Sequence, residues 1–460
     1  MRILLISPNR EMLPDPVFPL GLAYLSAALS DSTHEHQVLD LCFLDDFEVA
    51  IGQYVSEFRP EAIGLSLRNV DNVAYPNVCS YLPFYQKVIS HLRKITEAPI
   101  ILGGSGFSLM PGAILSYLEA DYGVWGEGEV TLIRLLDRLE SGSPIANLPG
   151  VFSIYRLQDH KLPLSPQYVS MQDLPVPRRE GFANDKYLRF GGMGNIQTKR
   201  GCPFSCVYCT YPLIEGHDVR LRPPTEVAVE MEHMCQNGID TLFIVDSVFN
   251  FPPHHAKSVC QEIIKLGIKV RWSCYLNPSM VTESLLQIMK EAGCTSVEFG
   301  TDSGSNAILK QLGKLFTITD VQHSSELCHK VGVPFCHSLI FGAPGEDQQT
   351  MQETFDLMTR VNPTAVIAMT GIRVFPGTKL AEFASPEDLI QTGKTMLEPS
   401  FYLAKSSRHF LLDTLYAHAE RNRNWILPGS NININHRIHE KLRQFGVRGP
   451  LWEYMRRRKR

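Results

Sequence analysis

Short, continuous apolar runs recur through the first 140 residues, at 3–7, 37–41, 62–67, 100–103 and 122–124. Between them, apolar positions return at helical spacing, which predicts helices over 20–29, 47–58, 84–96, 112–117 and 129–139. Strands that are apolar throughout, alternating with helices, build a parallel sheet covered on both faces. Right-handed crossovers then give a doubly wound α/β domain, with its ligand crevice at the C-terminal ends of the strands.

Residues 141–191 break this rhythm. Pro144, Pro149, Pro163, Pro166, Pro175 and Pro177 mark a linker, with a short hairpin expected around 151–155. From 192 to 385 the alternation resumes, with strands expected at 195–198, 241–245, 269–274, 296–299, 334–340 and 366–374. Helices should begin near Thr225, Pro253, Thr282, Ser305, Thr319 and Gln348, and Thr282 and Thr319 carry start signals followed by acidic residues. Six βα units are too few to close an eightfold barrel and predict a partial (β/α)6 barrel, open on one side. Residues 386–460 mix helical patterns with polar breaks and read as a mostly helical C-terminal extension.

The 460 residues are 44% apolar and 20% charged, an ordinary soluble composition with room for two or three cores. A net charge of −4 argues against nucleic acid as a partner of the whole surface. The basic residues 456–460 read as a solvated tail. The N-terminal run lacks a signal-peptide pattern, and no window reaches the length of a membrane span. Eight of the eleven cysteines are scattered, most of them in apolar patterns, which suits buried, reduced thiols and a cytoplasmic location.

The other three, Cys202, Cys206 and Cys209, fall in the loop Gly201-Cys-Pro-Phe-Ser-Cys-Val-Tyr-Cys209 after the first strand of the second domain. Three thiolates on one short loop can hold three irons of a [4Fe–4S] cluster and leave the fourth open. Zinc would want a fourth Cys or His, and the nearest histidine, His217, lies beyond a proline-containing turn. The C-x3-C-x2-C spacing, with Tyr208 before the last cysteine, resembles the cluster loop of the radical S-adenosylmethionine (SAM) enzymes. That resemblance implies SAM as cosubstrate on the open iron and an external one-electron reductant. It also assigns polar strand ends: Asp246 and Ser247 to the amino side of SAM, Ser273, Asp302 and Ser303 to its carboxylate and ribose, and Phe341 and Gly342 to adenine. Taken singly, a strand-end Asp is as often a helix cap, and a strand-end Gly more often a tight turn.

In the first domain, Pro19-Leu20-Gly21 opens the first helix and Ser66-Leu67-Arg68 ends the third strand. Gly103-Gly104-Ser105-Gly106 and Gly126-Glu127-Gly128-Glu129 follow the fourth and fifth strands. Glycine turns let a large ligand approach the backbone. No G-x-G-x-x-G follows the first strand, which argues against a dinucleotide domain. Placed before a cluster domain, this set resembles the cobalamin-binding radical SAM group, called class B methyltransferases where they transfer methyl. The resemblance covers about residues 1–385. The loop Ser7-Pro8-Asn9-Arg10 has no histidine, and His34 and His36 are expected at the surface. Arg68 is expected near the corrin but remains protonated and cannot ligate cobalt. The expectation is a five-coordinate or water-bound cobalt.

The resemblance implies transfer of a methyl group from methylcobalamin to an unactivated carbon of a small molecule, by way of a 5′-deoxyadenosyl radical. Ring closure, rearrangement or oxidation with the same cofactors is the alternative. A methylthiotransferase would need a second group of three cysteines ahead of the loop, and a non-catalytic cobalamin binder would not need the complete triad. The apolar runs 401–403 and 410–412 could cap a hydrophobic substrate or serve as core.

Overall fold

The structure, a computed structural model, describes residues 1–146, 148–157, 165–391, 395, 397–434 and 436–455; the basic tail and Pro163 lie outside this set. The chain divides into two compact units. The first holds Met1–Asn72, Ser80–Tyr187 and Leu213–Gly216, and the second holds Val73–Cys79, Leu188–Pro212 and His217–Arg460.

The first unit is built on a sheet of β1 (Arg2–Ser7), β2 (Glu35–Asp40), β3 (Ala62–Ser66), β4 (Ile100–Gly103), β5 (Tyr122–Val124) and β6 (Val151–Ser153). Their order is β2-β1-β3-β4-β5-β6. β1 to β5 are parallel, and β6 runs antiparallel to β5 at the edge. The order reverses at β1, so the crevice opens between the ends of β1 and β3. Ile3, Leu4, Leu5 and Ile6 are all buried, as a strand covered on both faces requires. Each expected helix is present, at Leu20–Ser30, Phe47–Phe58, Leu82–Ile95, Pro111–Leu118 and Gly128–Ser141, with an unforeseen short one at Ser105–Leu109. The expected hairpin at 151–155 is not there. Val151–Ser153 pairs with β5 instead, and its chain continues into a short helix, Ile154–Leu157.

In the second unit the strands are β7 (Gly194–Ile196), β8 (Lys199–Arg200), β9 (Arg220–Leu221), β10 (Thr241–Ile244), β11 (Arg271–Leu276), β12 (Cys294–Asp302), β13 (Phe335–Phe341) and β14 (Ala365–Thr370). The short strands β15 (Ile372–Arg373), β16 (Leu389–Gln391), β17 (Ser400–Tyr402) and β18 (Trp425–Ile426) follow. The main sheet runs β18-β14-β13-β12-β11-β10-β7, with every pair parallel. This is the partial barrel expected, with β18 as an added edge.

Trp272, Cys274, Val297, Phe299 and Phe335 pack into the core shared with the helices. Leu339, Phe341, Val366 and Ala368 do the same further along the sheet. Side chains alternate across a strand, so Ser273, Tyr275, Glu298, Ser338, Ile340, Ile367 and Met369 occupy the helix-free face. The helix expected near Thr319 starts earlier, at Ile318, and its cap is Thr317 in a capping box with Asp320. Beyond 385 the helices Leu411–Arg421 and His436–Gln444 outweigh the strands β16, β17 and β18. No helix among the described residues is long and apolar enough to cross a membrane.

Candidate active site

The cysteine loop leaves the end of β8 through Gly201, at φ 92°, where a Cβ would meet the Asp218 carbonyl at 2.1 Å. Only glycine fits that turn. The Val207 amide donates to the Leu312 carbonyl at 3.0 Å, and the Leu380 amide donates to the Val207 carbonyl at 2.8 Å. Cys209 N–H closes on the Cys206 carbonyl at 3.1 Å. The three thiols therefore hang on a braced loop, with Cys202 buried and the other two half-buried.

Burial pushes the Cys209 thiol up to about 12, and the neighbouring Cys206 and Cys202 add to the effect. Cys206 is raised chiefly by burial, against a lowering pull from Lys314. Thiols this reluctant to ionise become thiolates at the expense of metal binding. Among the described residues no three His, Cys, Asp or Glu side chains gather closely enough for a single ion. Three mutually sensed thiols without a fourth donor suit separate irons of a cluster better than one tetrahedral zinc.

Behind the loop stands a trio gathered on the buried Asp302 carboxylate. Tyr208 Oη donates to Asp302 Oδ2 at 2.6 Å, and Lys314 Nζ lies 2.6 Å from the same oxygen. Lys314 also reaches the Gly300 carbonyl at 3.3 Å and Tyr208 Oη at 3.4 Å. Burial alone would lower the Lys314 ammonium, but Asp302 and Cys206 outweigh it and hold it at about 12. The β12 register shifts between Gly300 and Asp302, and Asp302 takes φ 66°, which turns its carboxylate toward the loop. Lys314 escaped the reading of the sequence because nothing local ties it to Asp302.

The other expected SAM residues divide. Asp246 accepts from the Thr198 amide at 2.7 Å, from Thr198 Oγ1 at 2.5 Å and from the Lys199 amide at 3.3 Å. Lys199 Nζ stands 3.7 Å away. Ser247 Oγ donates to the Gly201 carbonyl at 3.2 Å. Both residues thus fasten the root of the cysteine loop. Ser273 is not at a strand end, because β11 continues to Leu276; it is buried, and its Oγ has no partner. Ser303 Oγ accepts from the Ser305 amide at 3.1 Å and lies 3.3 Å from Thr354 Oγ1. The Phe341 ring belongs to the core, so this position presents main chain. Gly342, at φ 95°, donates its amide to the buried Glu346 carboxyl.

In the first unit the glycines have a backbone reason. A Cβ on Gly104, at φ 93°, would stand 2.7 Å from the Leu67 carbonyl. One on Gly106 would meet the Asn69 backbone at 3.0 Å. The Gly106 amide donates to Leu67 O, the Leu67 amide to Gly103 O, and Ser105 Oγ to Arg68 O, each at 2.8 Å. The ends of β3 and β4 are laced together, with Ser66, Leu67 and Arg68 beside the crevice. Gly126 and Glu127 tie to the linker, since Glu127 Oε2 accepts the Val169 amide at 2.6 Å. Glu129 is buried in its helix. Pro19 precedes the first helix, Leu20 is buried, and Gly21 is exposed with nothing within 4 Å of an added Cβ. His34 is a correction: it is buried, 3.1 Å from Asp137 Oδ1 and 3.2 Å from the N-terminal amine. His36 lies within β2, against Ser26 Oγ at 2.8 Å. A loop that carries Asn9 and Arg10 at the crevice has no imidazole to offer cobalt.

Comparison with known proteins meets this geometry. Residues 196–358 match the Radical SAM superfamily, and residues 10–136 match the B12 binding domain. The chain is 30% identical over 446 residues to a tryptophan 2-C-methyltransferase of Streptomyces laurentii, covering 83% of this chain and 74% of the relative. It is 26% identical over 401 residues to an uncharacterized methyltransferase of Pyrococcus horikoshii, covering 85% of each. The structure is similar to that of the radical SAM methyltransferase TsrM from Kitasatospora setae, solved with cobalamin and a [4Fe-4S] cluster bound. The TM-score is 0.88 at 25% identity, over 99% of this chain and 97% of that one. OxsB, a cobalamin-dependent SAM radical enzyme, shares the fold with a TM-score of 0.74 at 14% identity, over 96% of this chain and 72% of its own.

Proposed function

The chain belongs to the cobalamin-dependent radical SAM methyltransferases, and on that premise we propose that it methylates a carbon of a small organic molecule with SAM as methyl source. The observation that carries the reading is the braced loop of Cys202, Cys206 and Cys209 at the C-terminal ends of a parallel half barrel. When bound, the cluster supplies the electron that cleaves SAM to a 5′-deoxyadenosyl radical, and cobalamin carries the methyl group.

The chain's own residues bind and orient. The three cysteines take three irons. Asp246 and Ser247 fix the loop's root, so their service to the amino side of SAM is positional. Tyr208, Asp302 and Lys314 hold a fixed, compensated charge behind the cysteine loop, and Ser303 would serve the carboxylate and ribose side of SAM; Ser273, deep within β11, is too far down the strand for that part. The turn at Phe341 and Gly342 offers main chain to adenine. In the other unit, Pro19–Gly21, Ser66–Arg68, 103–106 and 126–129 border the corrin. Residues 1–140 make the cobalamin domain, 141–191 the linker, 192–385 the radical SAM domain and 386–460 the extension. An external one-electron reductant and a reducing cytoplasm complete the requirements, and the loop of residues 7–10 would offer a bound cobalt no protein imidazole. A cobalt(II) resonance spectrum split by a protein nitrogen would contradict that last point.

A second route follows from the Streptomyces relative, whose acceptor carbon, by its name, is C2 of tryptophan. An indole C2 is nucleophilic and has a strong C–H bond, so such an acceptor needs no hydrogen abstraction. Anaerobic enzyme with methyl-labelled SAM, reductant and candidate small molecules should give a labelled product heavier by one CH2. Equimolar 5′-deoxyadenosine marks an unactivated carbon, and product without it marks an electron-rich one. Cys206→Ala should abolish product while the cobalamin absorbance stays. Product from that variant would sink the reading, and a product of unchanged carbon count would point to rearrangement or oxidation.

A further inference from the structure

We propose that Glu298 is the substrate anchor of the second unit. It would hold the protonated amine of a small molecule whose flat apolar body lies along the helix-free face of the sheet. This rests on the function proposed above and names the class of molecule it acts on.

Glu298 is 7% exposed, and Trp452 Nε1 donates to its Oε1 at 2.8 Å. Among the described residues no lysine, arginine or histidine pairs with it, and the charge that faces it is another carboxylate, Glu453. Glu453 is already served, by Ser296 Oγ at 2.5 Å and Thr295 Oγ1 at 3.3 Å. The Trp452 indole N–H is thus the donor that faces the Glu298 carboxylate, and no cation joins it among the described residues. A buried carboxylate with one hydrogen bond and a like charge beside it is costly, and a cation relieves that cost. A second, separate observation lies on the same face. Ser273 Oγ, 1% exposed and without a partner, sits on β11 opposite Ser296, diagonal to Glu298.

The surroundings fit a flat apolar body. Phe243 and Tyr275 form an edge-to-face pair, 5.1 Å between centroids, and Tyr275 is the direct β11 neighbour of Glu298. Ile340, Ile367 and Met369 offer partly exposed aliphatic surface on β13 and β14. Asp302 lies four steps along β12 from Glu298, about 13 Å at the ordinary rise of a strand. Glu298 is thus too far from the cysteine loop for chemistry and suitably placed to hold the far end of a molecule that reaches it. Trp452 is a positioning residue: packed against Cys336 and Ala365, it fixes the carboxylate with its indole N–H.

The test is calorimetric titration of the anaerobic holoenzyme with tryptamine, which has the amine, and indole-3-propionate, which has a carboxylate instead. Tryptamine should bind the parent at least tenfold more tightly. Glu298→Gln should lose at least tenfold for tryptamine while its iron and cobalamin contents equal those of the parent. Burial and Glu453 hold the Glu298 carboxyl up at about 7, against the Trp452 hydrogen bond, with Cys336 and Tyr275 the other titratable neighbours. Tryptamine binding should therefore fall as pH drops through that region. Trp452→Phe should move the midpoint upward, which a merely structural role would not do. Equal binding of the two probes, an unchanged Glu298→Gln, or no binding by the parent would overturn the proposal. Amine-selective binding by a parent that makes no methylated product would uphold the anchor and defeat the methyl-transfer reading.

Discussion

Asp302 combines three demands at one position: a left-handed backbone, a phenol and an ammonium, the last two on one oxygen. Removing the ammonium leaves a buried negative charge with the Tyr208 phenol but no counter-ion. Lys314→Met is expected to cost about 3–5 kcal/mol, read as a lower thermal midpoint, and to reduce iron retention. Asp302→Asn in the same background should recover part of the loss, and a neutral result for Lys314→Met would mean the pair carries no weight. Gly104→Ala tests the other unit, where a strained φ and a 2.7 Å approach to the Leu67 carbonyl predict a loss of about 1–3 kcal/mol. At this scale the sequence was legible where chemistry is local. The cysteine spacing declares itself because eight residues of one loop contain the whole donor set. Lys314, Glu298 and the true depth of Ser273 did not, because each gains meaning only from the register of neighbouring strands.

Elements repeat the lesson. Strands of a parallel sheet are apolar throughout, and so β1, β3, β4, β10 and β13 could be read from their runs. β6 could not, since three residues become a strand only by finding the edge of β5. Nor could the end of β11, where exposed Tyr275 and buried Leu276 continue a strand that hydropathy closes at Cys274. The helix Ile318–Val331 shows how close a start signal can come. Thr319 looks like a cap, yet Thr317 accepts the third amide while Asp320 accepts the Thr317 amide at 2.8 Å. Thr317→Ala should therefore lower stability by about 0.5–2 kcal/mol, whereas Thr319→Ala should leave it nearly unchanged. Thermal melts of the pair decide between the two caps.

Across the whole molecule, buried carboxyls make stability depend on pH. Burial pushes Glu346 up to about 8 in its turn, against the amides of Gly342 and Ala343. Its folded form keeps a proton the unfolded chain has already lost. The stability it contributes is present below the ordinary carboxylate range and drains as pH climbs to about 8, at no more than roughly 1.4 kcal/mol per pH unit. Melting temperatures between those limits should fall with pH, and Glu346→Gln should flatten the slope; a parallel slope in the variant would assign the effect elsewhere. The division of the chain has a different reach. Val73–Cys79 belongs to the second unit, where Asn77 Nδ2 donates to the Gly429 carbonyl at 2.8 Å and Tyr75 lies 5.5 Å from Phe401. Leu213–Gly216 belongs to the first. Neither unit is therefore a cassette. A single genetic crossover at the linker would hand each descendant a foreign strap, so lineages that exchange acceptor specificity are expected to do so by altering side chains in place.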